Sequence, residues 1–187
     1  STAHGVPTSI PEAFDLYLGS SFDYVVEYLR TNGAVVDRDE VHDAFHTSLF
    51  EDFRTRLQEI PGTCDLLQTL EDNNQLISIA SSGSRERVTL GITTTGVNQY
   101  FKDSIITTAE DAKRGKPFPD LFLITAERAG IDPRNCLVIE DSPFGIEAAS
   151  HAGMSSIGLA YRTPAEKLSA ADLVVRTPKE VLLALGY

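Results

Sequence analysis

"CLVIEDSPFGIEAASHAGM", Cys136 to Met154, is the stretch on which the fold turns. Four apolar residues, Cys136 to Ile139, run directly into two adjacent carboxylates, Glu140 and Asp141. Ser142-Pro143 then opens a run of small residues with a helical rhythm. A short apolar run followed by a helix start predicts a strand buried on both faces that leads into a packed helix. Two carboxylates about 5 Å apart repel by roughly 3 kcal/mol at an effective dielectric near 20. A fold tolerates that repulsion where something positive sits beside them, so the pattern predicts a cation at this strand end.

The same rhythm extends in both directions. A helix from Cys64 to about Leu70 leads to the strand "LISIA", Leu76–Ala80. A helix after Ser84, the strand "SIITT" (Ser104–Thr108) and a helix beginning at Asp120 follow. Beyond Gly153 come the strands "SSIGLA" (155–160) and "LVV" (Leu173–Val175). Thr163-Pro164-Ala165-Glu166 and Thr177-Pro178-Lys179-Glu180 both read as capping boxes with proline at the first helical position. Strands alternating with helices predict an α/β core, a Rossmann-like parallel sheet covered on both faces, over residues 61–187.

Residues 1–60 carry helical period and no strand pattern. Pro11 marks one helix start and Ser21 precedes a second helix with the stripe Val25, Val26 and Leu29. After Asp37, apolar residues recur every four positions at Val41, Phe45, Leu49, Phe53 and Leu57. This predicts a small helical domain, closed by Pro61-Gly62.

Composition narrows the function. The 187 residues are 42% hydrophobic, enough for a sizeable core without staples. Cys64 and Cys136 form no CxxC pair and no disulfide framework, which suits buried free thiols in a reducing cytoplasm. Sixteen Lys+Arg against 27 Asp+Glu give a net charge of −11. Such a field argues against nucleic acid and anionic membrane as partners, and makes any anionic substrate depend on local cations. No apolar run reaches membrane-spanning length, and no signal segment opens the chain. A cytoplasmic monomer is expected.

Ligands of parallel sheets bind beyond the carboxyl ends of the strands. After "LISIA" come Ser81, Ser82, Gly83 and Ser84; after "SIITT" the chain passes Glu110 and Asp111 to "KRGKPFPD" (113–120); after "CLVI" stand Glu140 and Asp141. Hydroxyls, turned N–H groups and a lysine suit a phosphate. Paired carboxylates suit Mg2+, with Asp141 the better placed ligand because neighbouring strand residues point to opposite faces. Blander readings stand beside these: Ser81 and Ser84 as helix caps, Lys116 as a solvated charge, Asp141 as a turn residue and Glu140 as the partner of a neighbouring base. His42 and His46 share a helix face without a third ligand near in sequence, and Arg85 and Arg87 read as exposed helix charges.

Taken together, these motifs resemble the haloacid dehalogenase-like hydrolase superfamily, in its branch of β-phosphoglucomutase and sugar-phosphate phosphatases. "ISIASSGS" is similar to the family's second motif, "KRGKPFPDLF" to its third and "CLVIEDSPFGIEAASHAGM" to its fourth. The resemblance implies a phosphate held by Ser81, Ser82 and Lys116, Mg2+ on Glu140 and Asp141, and catalysis on a small phosphorylated metabolite. It also implies that the helical half is a cap whose loop at Gly19, Ser20 and Phe22 faces the substrate. The mutase carries an arginine where Phe22 stands, which favours a phosphatase.

The family's first motif, an Asp-x-Asp on the central strand that supplies the nucleophile, has no counterpart here. Asp37-x-Asp39 lies between cap helices and reads as acidic residues opening a helix. The expectation is that an upstream segment carries the missing strand, which would lie between the strands ending at Ser81 and Glu140. The chain as given is then expected to be inactive. Three rivals are a non-catalytic phosphate- or partner-binding domain, a β-phosphoglucomutase-like phosphotransferase and a metal-independent dehalogenase.

Overall fold

In the computed structural model, which describes residues 5–17, 22–101 and 104–187, the helical and the alternating halves form two units. They divide at residues 1–55 and 56–187, five residues before the boundary read from the sequence.

The first unit holds α1 (Ile10–Tyr17), α2 (Phe22–Thr31) and α3 (Arg38–Arg56). Asp37 caps α3, its Oδ1 accepting from the backbone N–H of Asp39 and of Glu40. Val6, Leu29 and Val41 are its buried core, with Phe22, Val25, Tyr28, Ala34 and Val36 packed around them. Only the start of the four-residue stripe on α3 enters that core. Phe45 is exposed, with its ring tilted on Phe22 and edge-on to His46.

In the second unit α4 (Thr63–Asp72) precedes β1 (Ser78–Ala80), α5 (Arg85–Thr94), β2 (Ile105–Thr107) and α6 (Asp120–Ala129). Then come β3 (Leu137–Glu140), α7 (Pro143–His151), β4 (Ser155–Leu159), β5 (Leu173–Val175) and α8 (Pro178–Leu185). All strand pairs are parallel, but they form two sheets, β1-β2 and β3-β4-β5. Ile79 stands opposite Ile106 in the first; Val138 opposite Ser156, and Gly158 opposite Val174, in the second.

Shared helices cover both sheets. On one side Phe122 and Ala126 of α6 and Ala148 and Ala149 of α7 pack with Ala80 of β1 and Val138 of β3. Elsewhere Leu66 and Leu70 of α4 join Val181 of α8 over Ile157 and Val175, with Ile77 at the margin. Between the sheets lies a cavity of about 470 Å³, lined among others by Leu70, Ser78, Ala80, Phe122, Val138 and Ile139. Among the described residues β1 and β3 each pair on one edge only, and both contribute walls to this cavity.

That gap explains where the strands fall short of the sequence reading. "LISIA" yields a strand of three residues, Ser78–Ala80, with Leu76 and Ile77 ahead of the β1-β2 pairing. Leu76 is 63% exposed, Leu137 41% and Ile139 37%, although the apolar runs predict burial on both faces.

Two predicted caps form: Ser84 accepts from Arg87 N–H and Thr177 from Glu180 N–H; Ser142 caps a third helix, accepting from Gly145 N–H. The box at Thr163 does not. A short 3-10 helix, Ala165–Leu168, follows Pro164 without a side-chain cap. Leu168 is fully buried there, and its Cβ would stand 3.0 Å from a Cβ placed on Gly158. Burial of Leu168 over that glycine fixes the segment, and Thr163 is drawn inside with it.

Candidate functional site

Lys116 is the meeting point of the three strand-end loops. Its Nζ donates to Glu140 Oε2 at 2.8 Å and reaches the Ala80 carbonyl at 3.4 Å. It lies 4.7 Å from the centre of the Phe122 ring, so α6 supplies an aromatic floor for the charge. The Lys116 and Glu140 side chains are only 8% and 12% exposed. A carboxylate, a carbonyl and a ring face thus surround the enclosed lysine head.

The first loop leaves β1 at Ser81. Ser81 N–H donates to the Thr107 carbonyl, extending the β1-β2 pairing by one bond. Its Oγ accepts from Gly83 N–H at 3.1 Å, closing a tight turn and leaving the hydroxyl proton free to donate. Ser82 is exposed beside it. Gly83 is buried, and a Cβ on it would meet the Arg87 guanidinium at 2.7 Å.

The third loop starts with Glu140, and both its oxygens are engaged. Oε2 takes Lys116, and Oε1 accepts from Ser142 N–H at 3.2 Å and Ser142 Oγ at 2.7 Å. Ser142 in turn caps α7. Glu140 is thus tied to the lysine and the helix start. Asp141 has no ion pair among the described residues. Water reaches it, yet enough protein crowds around it that desolvation holds its carboxyl above the usual range, and the neighbouring Glu140 charge pushes the same way. A carboxylate in this state favours a cation. Mg2+ takes one or two carboxylates and completes its shell with water and phosphate oxygens, so Asp141 fits as a ligand. The described residues hold no cluster of three or more His, Cys, Asp or Glu that would form a closed metal cage.

Other residues fall elsewhere. Phe22 packs inside its own unit, edge-on to His42 at 5.2 Å. Gly19 and Ser20 lie outside the described residues. His42 and His46 stack on one another at 4.1 Å between ring centres. His151 Nδ1 stands 3.1 Å from the Pro117 carbonyl, so the ring ties the Lys116 loop to α7. Phe144 is exposed, whereas Gly145 lies directly against Glu140.

One role escaped the sequence reading: Asp111, in the loop after β2, collects two arginines and Thr108. Hydrogen bonds from Arg128 and from Thr108 N–H hold its carboxyl below the usual carboxylate range. Its place after a strand was visible; its partners, 17 and 26 residues away, were not.

With this geometry in hand, the comparison with known proteins is specific. The pattern of the haloacid dehalogenase-like hydrolase family matches residues 3–159, and the chain belongs to that family. Validoxylamine A 7'-phosphate phosphatase of Streptomyces hygroscopicus subsp. limoneus is 32% identical over 122 residues, 65% of this chain and 56% of that protein. The chain therefore spans little more than half the length of that relative. Two solved structures share the fold. A HAD family hydrolase of Deinococcus radiodurans with bound phosphate and sodium superposes with TM-score 0.80 at 27% identity, over 98% of this chain and 83% of that one. β-Phosphoglucomutase of Clostridium difficile superposes with TM-score 0.73 at 26% identity, over 96% and 81%. The core is the Rossmann-type α/β fold of this family, and the branch is the one the motifs resemble. No helix among the described residues is long and apolar enough to cross a membrane.

Proposed function

We propose that the protein is a Mg2+-dependent phosphomonoesterase acting on a small phosphorylated metabolite such as a sugar phosphate. The observation that carries this reading is the convergence at Lys116, which touches the Ala80 carbonyl just before Ser81 and the Glu140 carboxylate just before Asp141. A phosphoryl group at this junction has an ammonium and a hydroxyl donor beside it, and a carboxylate for its metal. The phosphatase relative and the phosphate-bound structure favour the same chemistry.

Each residue has a distinct part. Ser81 and Ser82 donate to phosphoryl oxygens, and Lys116 balances their charge. Glu140 holds Lys116 in place, and Asp141 holds the metal. Mg2+, when bound, supplies charge neutralisation and polarises the phosphoryl group. The role proposed for the helical unit is that of a cap. An apolar Phe22, rather than a cation, favours hydrolysis over phosphotransfer between two ends of a bisphosphate.

The attacking carboxylate belongs to a strand outside residues 1–187, seated between β1 and β3. The facing unpaired edges and the cavity between them support this placement, because an edge left unpaired in an apolar slot leaves N–H and C=O groups without partners. An aspartate there attacks phosphorus and displaces the alcohol, and water then hydrolyses the acyl phosphate. Residues 1–187 alone are inactive under this reading.

The test is a panel of sugar phosphates with the full-length natural protein. Turnover that needs Mg2+ and stops on chelation is expected. No turnover of any phosphomonoester, or turnover unchanged by chelator, overturns the proposal.

A further inference from the structure

Asp111 carries four hydrogen bonds on one small carboxylate, and they lead to three different elements. Oδ2 accepts from Thr108 N–H at 2.8 Å, Thr108 Oγ1 at 3.1 Å and Arg85 Nη2 at 2.8 Å. Oδ1 accepts from Arg128 Nη2 at 2.7 Å. The side chain is 14% exposed, against nearly half for each arginine.

The two arms have separate destinations. Arg85 is the first residue of α5, directly after the Ser81–Ser84 turn. Its own N–H donates to Glu110 Oε1 at 2.9 Å, and its guanidinium also reaches the Ile106 carbonyl. Ala109 N–H bonds Gly83 O in the same region. Arg85 is thereby fastened to the end of β2, and the Ser81 turn with it. Arg128 lies in the last turn of α6, the helix that follows the Lys116 loop. Its bond to Asp111 joins the far end of that helix to the residue where the loop begins. One carboxylate therefore clamps the base of the Lys116 loop with one arm and the Ser81 turn with the other.

We infer that Asp111 is a positioning residue that sets the Ser81 turn and the Lys116 loop at one fixed separation. The inference rests on the proposed reading of Ser81 and Lys116 as phosphate ligands. Neither ligand touches Asp111, so its effect on binding runs through Arg85 and Arg128. Two ligands on separate loops grip one anion only if the loops do not move independently, and a displacement of the order of 1 Å costs about 10- to 100-fold in such sites.

The experiment measures amide hydrogen exchange and inorganic phosphate affinity on the full-length natural protein and on D111N, R85A and R128A. In D111N, exchange is expected to rise in 81–84 and in 113–118 while α7 stays protected, and phosphate binding weakens by about 10- to 100-fold. R85A should loosen 81–84 alone, and R128A 113–118 alone. Unchanged exchange in both loops of D111N overturns the inference. So does a rise that includes α7 equally, which marks a residue of general stability, and so do identical patterns in the two arginine variants. If the variants show the expected exchange pattern but wild-type protein binds no phosphate, the phosphatase reading is overturned and the coupling of the loops stays supported.

Discussion

Lys116 Nζ and Glu140 Oε2 stand 2.8 Å apart, in a place where both side chains are almost out of water. The lysine comes from the loop after β2 and the glutamate from the end of β3, so one ion pair joins two strand ends that share no backbone hydrogen bond. The repulsion between Glu140 and Asp141 foreseen in the sequence is thereby met in part by a cation from the protein itself.

Removing one member leaves the other buried and uncompensated. K116M is expected to destabilise the folded protein by about 3 kcal/mol or more, and the double variant K116M/E140Q by clearly less than the sum of its single changes. Denaturant melts of the four proteins give the coupling. Additive costs would mean that the pair contributes nothing as a pair.

Asp141 makes the opposite prediction. Its carboxyl is held above the ordinary value by desolvation and by Glu140, so the folded state binds its proton more tightly than the unfolded state does. Stability then falls as pH rises from the ordinary carboxylate value through the raised one. In metal-free buffer at neutral pH, D141N should melt at a higher temperature than wild type. Mg2+ should raise the wild-type melting temperature and leave D141N unmoved, since binding to the folded state alone stabilises by mass action. A D141N protein that Mg2+ stabilises as much as wild type would remove Asp141 from the metal site.

The alternation of strands and helices was readable because apolar runs and helix caps are local signals, as Ser84, Ser142 and Thr177 show. The ends of β1 were not, because Leu76 and Ile77 satisfy a strand's composition, and composition does not mark where the pairing with β2 begins. Ser81, Lys116 and the two acids could be named from their positions after strands. What Glu140 does with its two oxygens depends on Lys116, 24 residues earlier, and on the turn at Ser142. Asp111 shows the same limit: its role is set by arginines from other elements, and no local pattern announces them.

Gly145 tests how tightly Glu140 is held. A Cβ on this residue of α7 would overlap the Glu140 carboxylate. G145A is expected to cost about 1–3 kcal/mol through overpacking, although alanine favours the helix itself. Because the displaced group is the partner of Lys116, inorganic phosphate binding should weaken as well. Isothermal titration with phosphate, beside a thermal melt, separates the two effects. A variant more stable than wild type, with unchanged phosphate affinity, would show that Glu140 has room to move without consequence.

Acid titration isolates Asp111. Its carboxyl is held below the ordinary value of 3.8, first by Arg128 and then by Thr108 N–H. For an acid whose folded value is depressed, the stabilisation is complete above the ordinary value and is lost as pH falls through it toward the folded one. Wild type and D111N should therefore differ most in melting temperature near neutral pH and converge between about pH 4 and pH 2. Asp120 and Asp132, depressed by Arg114 and Arg134, titrate alike in both proteins and cancel from the difference. An offset between the two proteins that stays constant down to about pH 2 would mean that Asp111 acts through its shape alone, not through its charge.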